Sequence, residues 1–167
     1  YSAAFGKNNK VRGQYSIAMG SDNSVMAMRG GAFGLGNDVR GSTSFAMGSY
    51  NNVSGVNAIA LGYLDTVSNY SMAYGLQNNA SGQYALSGGS YTQATNFNTV
   101  ALGNSSIASG NGAVAIGRML EAEGSYSTAF GNSNKSIGNS SFTAGSSNEA
   151  LGDYATAMGF ETVAKGR

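Results

Sequence analysis

Glycine recurs along this chain at Gly6, Gly20, Gly34, Gly48, Gly62, Gly75, Gly89, Gly103, Gly117, Gly131, Gly145 and Gly159, at ten intervals of 14 residues and one of 13. A fixed period of this kind means that one small unit, unable to bury its own apolar side, is stacked on copies of itself. Other positions keep the same phase. Alanine stands two residues before the anchor glycine in ten of twelve units, as at Ala18, Ala46, Ala60, Ala101, Ala115, Ala129 and Ala157, with Ser87 and Thr143 as the exceptions. Five residues after the anchor only valine, alanine or one serine occurs, from Val11 and Val25 to Ser136 and Ala164. A second glycine column, seven after the anchor, runs from Gly13 to Gly166 and brings the phased glycines to 21 of 26.

So many glycines, each costing about 1 kcal/mol in a helix relative to alanine, exclude a coiled coil despite the near-heptad half-period. The unit reads instead as strand, turn, strand, turn. Ser16-Ile17-Ala18-Met19 alternates small and large residues, the period of a strand, and Gly20 ends it. Asparagine at the third position after the anchor (Asn9, Asn23, Asn37, Asn51, Asn78, Asn134, Asn148) predicts a tight turn, because asparagine tolerates the left-handed region. A short second strand such as Ser24-Val25-Met26 follows, and the second glycine turns the chain back. The fold class is therefore all-β, a parallel β-solenoid of about twelve 14-residue coils over residues 1–167. At about 4.8 Å per coil the rod is on the order of 55 Å long. The single 13-residue interval loses its residue between Asn69 and Ser71, in a turn, where a solenoid tolerates deletion best.

Composition limits the chemistry. The chain has no cysteine and no histidine, so thiolate zinc sites, disulfides and the commonest general base are all missing. We expect no enzyme, no cofactor, no metal and no catalytic residue. Other repeat classes fail on period or residue type. A hexapeptide acyltransferase needs a six-residue period, a calcium-binding toxin repeat needs nine with regular aspartates, and an ice-binding ladder needs more threonine than Thr128 and Thr156 supply in their column. No apolar run approaches the roughly 18 residues of a membrane span, and no direct membrane contact is expected.

The two strands of each coil differ in a way that bears on assembly. Polar residues flank the buried position of the second strand, as Lys10 and Arg12 or Glu121 and Glu123 do, so its other face looks at water. Across the four positions before each anchor, 48 residues include no Asp, Glu, Lys, Arg, Asn or Gln. Both faces of that strand are dry, and a strip so long predicts an obligate oligomer. Near-invariant alanine suits a symmetry axis where identical residues meet, so the alanine column is expected there, with Ile17 and Met19 filling the roll.

The phrases "NAIALG" (57–62), "NTVALG" (98–103), "GAVAIG" (112–117) and "YATAMG" (154–159) resemble the 14-residue head repeat of trimeric autotransporter adhesins, the YadA-like heads, over essentially the whole chain. The resemblance implies a left-handed parallel β-roll, a homotrimer, and display at the surface of a Gram-negative bacterium, projected from the outer membrane. It implies attachment to host matrix proteins such as collagen, fibronectin or laminin, or to cell-surface receptors, and bacterial autoagglutination. Neck, stalk and anchor are nowhere recognisable, so the chain reads as a head fragment. The family's collagen motif, Asn-Ser-Val-Ala-Ile-Gly, is only approximated: Gly112-Ala113 and Asn57-Ala58 replace its Asn-Ser, and Asn98-Thr99 comes nearest. The rival reading is a structural spacer without a ligand of its own.

Residues that the repeat does not require are the candidates for ligand contact. Tyr15, Tyr84, Tyr126 and Tyr154 share the column five before the anchor, and Tyr50 and Tyr91 the column two after it. The plain reading is cross-coil stacking; the functional one is an exposed aromatic strip. Residues 1–60 carry five bases and two acids, and the remainder four bases and six acids. Lys10 and Arg12 are thus the basic candidates for polyanion contact, but a net +3 over several coils is no nucleic-acid footprint.

Overall fold

The computed structural model describes residues 1–166. Five-residue and two-residue strands alternate from β1 (Ala3–Lys7) and β2 (Lys10–Val11) to β23 (Thr156–Phe160) and β24 (Val163–Ala164). The odd-numbered strands form one twelve-stranded parallel sheet, sheet A, and the even-numbered ones a second, sheet B. Each coil contributes one strand to each sheet, and we number the coils one to twelve from the anchor Gly6. Pairing is in register, as in Ala4↔Ala18 and Gly6↔Gly20, so every column of the sequence becomes a column in space. The short interval is absorbed where expected. Val67 in β10 (Thr66–Val67) still pairs Val53, 14 back, whereas Met72 in β11 (Met72–Leu76) pairs Ile59, 13 back, so the missing residue falls in the turn between those two strands.

Two different requirements select the glycines. Gly20 has φ +116°, and a Cβ there would lie 2.0 Å from the Gly34 carbonyl oxygen of the next coil. Gly13 has no such dihedral, but a Cβ would lie 1.7 Å from the Ala27 oxygen, so stacking distance sets the glycine at that position. Left-handed backbone appears at two corners per coil, the fifth residue before the anchor (Tyr15, φ 58°) and the second after it (Asp22, φ 59°).

The interior corrects two expectations. Ala18, Ala46, Ala60, Ala101, Ala115 and Ala129 have no exposed surface and Ala157 only 3%; they pack within the roll beside Val25, Val39, Val53 and Val67. A side chain with no free surface in the single chain has none to offer a partner, so the alanine column is the core and not the axis. The large residues lie on the opposite face of sheet A: Ile17 is half-buried and Met19 is 42% exposed. Alanine packed beside valine or alanine fills the space between the two sheets.

The asparagines are not at the left-handed corner either. From Asn23 onward they point inward and are buried. Asn37 donates its backbone N–H and its side-chain amide to Asn23 Oδ1, at 3.1 and 3.0 Å, and the same amide donates to the carbonyls of Phe33 and Gly48 at 3.1 and 2.9 Å. Inside a roll, carbonyls at the strand end have no water, and an amide with two donors and an acceptor satisfies them. Asp65 and Leu120 occupy the same column without a donor of their own. Their anchors respond: φ is +155° at Gly62 and +146° at Gly117, against +106° to +119° at the other ten.

Candidate functional site

Three surfaces remain to solvent: the outer face of sheet A, the two lines of corners, and the outer face of sheet B. On sheet A the positions one and three before the anchor point outward, and Phe5, Met19, Met47, Ile59, Ile116 and Met158 are all exposed. Strand alternation forces this, because the residues between them face the core. No charged side chain occupies those two columns. The anchors Gly20, Gly48, Gly62, Gly103, Gly117, Gly131 and Gly159 close this sheet along one edge with positive φ and serve the coil geometry.

The corner five before the anchor carries the candidate tyrosines. Tyr15, Tyr84, Tyr126 and Tyr154 all have φ of 58–59°, and all are exposed, Tyr126 by 69% and Tyr154 by 80%. A bulky residue in this region is uncommon. The turn does not demand it, since Asn57, Asn98, Gly112 and Ser140 serve the same corner. The strip also contains Tyr70, which the sequence reading missed although it lies five before Gly75; the 13-residue interval hid its phase. Tyr70 stacks on Tyr84 with ring centroids 5.2 Å apart, and Tyr84 meets Phe97 edge-on at 5.4 Å. Rings in this column differ in their surroundings. Tyr84 is part of a cross-coil stack; Tyr126 and Tyr154 join no ring pair among the described residues, and the Tyr126 ring lies over the bare backbone of Gly112.

Lys10 and Arg12 lie on the outer face of sheet B in coil one, where with Asn8, Asp22, Ser24 and Met26 they line a groove of about 810 Å³. Asp22 holds its carboxyl below the usual range, mainly through hydrogen bonds from Ser21 and Asn8. Far along the same face Glu121 bridges Lys135 at 3.0 Å. The structure does not bring the tyrosine corner and the basic pair into one site. Neither set is joined to a buried reactive group, and among the described residues no cluster of acidic side chains gathers to hold a metal ion. What the arrangement offers is long, repetitive, solvent-facing surface.

The family model described as YadA head domain repeat (2 copies) matches residues 1–23, 40–64, 94–118 and 144–166, more than half of the chain. No curated protein matches it.

Proposed function

Because the chain belongs to the YadA head domain repeat family, we propose that it is the non-enzymatic head of a trimeric autotransporter adhesin, projected from the outer membrane of a Gram-negative bacterium. Each chain is a left-handed roll, and three copies stand about a common axis with sheet A turned inward. The observation that carries this reading is the apolar outer face of sheet A, on which Phe5, Met19, Met47, Ile59 and Ile116 line up without a single charge. A contiguous apolar face of that length needs a cover, and identical faces supply it by rotation. Sheet B and the tyrosine corner then look outward, available to collagen, fibronectin, laminin or a cell-surface receptor and to other bacteria. Each contact is weak; three copies per head and many heads per cell multiply it.

Two measurements test this. A solution mass of three chains is expected, and a stable monomer overturns the assembly. Purified trimer is expected to bind immobilised matrix proteins or cells with a saturable isotherm; a trimer that binds none of them is a spacer.

A further inference from the structure

We propose that the outer face of sheet B pairs antiparallel with the same face of a second copy, the basic end of each lying against the acidic end of the other. The proposal rests on the reading above only in placing sheet B outward and in letting heads on facing cells overlap side by side.

The charges of this face stand in two columns, four and six residues after the anchor. Strand pairing puts Lys10, Ser24 and Asp38 in one line, and Glu121, Lys135 and Glu149 further along it. Two ion pairs are internal: Arg40 to Asp38 at 2.6 Å and Lys135 to Glu121 at 3.0 Å. Among the described residues that leaves Lys10 and Arg12 without a salt bridge in coil one, and Glu123 and Glu149 without one in coils nine and eleven, both acids sharing the field of Lys135. The five coils between, from Asn52 and Ser54 to Ile107 and Ser109, carry no charge in either column. Eight to ten coils at about 4.8 Å separate the two ends by roughly 40 Å or more, several times the Debye length of about 8 Å, so neither end neutralises the other within one chain.

A two-fold axis along the strand direction reverses the rod while keeping each column over its own copy. Coil one then lies against coil eleven, two against ten and three against nine. Lys10 and Arg12 meet Glu149, Glu123 meets Arg40, and the exposed Met26 meets the exposed Ile137, all of them twice by symmetry. Asp38 and Glu121 also meet, but each already holds its own cation. Lys165, in coil twelve, lies outside the overlap. A parallel arrangement sets like charge on like. Antiparallel is also the direction in which fibres rooted in facing surfaces approach.

The test uses intact trimer coupled through its C-terminal end to beads. Wild-type beads are expected to clump at about 50 mM salt and to disperse at about 500 mM. The variants Lys10→Glu/Arg12→Glu and Glu149→Lys, each with unchanged melting, are each expected to lose clumping about tenfold, since the contact between coils one and eleven becomes like on like. Mixing the two variant beads is expected to restore it, between unlike beads only. Failure of the mixture to clump overturns the proposal. So does loss in the first variant with none in the second, which is the signature of a polyanion partner for Lys10 and Arg12. The mass of each variant is read separately: monomers that still clump in the mixture sink the trimer and leave the pairing standing.

Discussion

Asp65 Oδ1 accepts two hydrogen bonds from Asn78, the backbone N–H at 2.8 Å and the side-chain amide at 3.1 Å, while Asp65 Oδ2 is buried with no partner. In neighbouring coils the corresponding atom is an amide nitrogen that donates to two carbonyls, as in Asn51 to Met47 and Gly62. An oxygen there faces acceptors with nothing to give them. The turned peptide at Gly62 is the backbone's response.

Burial raises the Asp65 pKa above its ordinary value of 3.8, against the opposing pull of the Asn78 hydrogen bonds. A raised folded pKa means that the native state holds the proton more tightly than the unfolded chain. The stability it contributes is complete below pH 3.8 and is lost as pH rises through the folded pKa. Asp65→Asn supplies the missing donor, so at pH 7 it is expected to stabilise the fold by about 1–3 kcal/mol. Denaturant midpoints of both proteins across the acid range check this: the gap closes as pH falls, and a gap independent of pH refutes the account.

Asn37→Ala strips the ladder of one rung. It leaves the carbonyls of Phe33 and Gly48 and the Asn23 Oδ1 short of donors in a closed interior. The expected loss is on the order of 2–4 kcal/mol, read from the melting transition, while Asn8→Ala on the exposed corner costs far less.

Ser136 and Thr143 stand where most coils have alanine or valine, and their hydroxyls meet at 2.8 Å inside the roll. Ser136→Ala leaves the Thr143 hydroxyl buried and alone, at an expected cost of about 1–3 kcal/mol. The double change to alanine restores the common pattern and is expected to recover most of that loss. A double-mutant cycle with no coupling beyond about 0.5 kcal/mol contradicts the pairing.

Tyr154→Ser and Tyr126→Ser are expected to weaken ligand binding while leaving stability within about 0.5 kcal/mol, because these rings make no aromatic pair. Tyr84→Ser breaks contacts with both Tyr70 and Phe97 and is expected to lower stability by about 1 kcal/mol. Calorimetry beside a binding isotherm separates the two outcomes, and equal destabilisation by Tyr154→Ser removes the corner from the adhesive surface.

The amino-acid sequence by itself determined the coil: the phased glycines, the strand alternation and the uncharged first strand set period, register and the turn that absorbs the short interval. Those features repeat, and repetition is legible without coordinates. Which face of the first strand turns inward was decided only by the tertiary structure. Alternation is symmetric, so Ala18 and Met19 mark two faces without saying which is inside; the closed roll packs Ala18 with the valine column and leaves Met19 on the outer face. Asparagine after a strand-ending glycine reads as a turn former, its commonest local use. Only the closed roll, which buries Asn23, Asn37 and Asn51 against waterless carbonyls, made it the inner ladder and made Asp65 its weak rung.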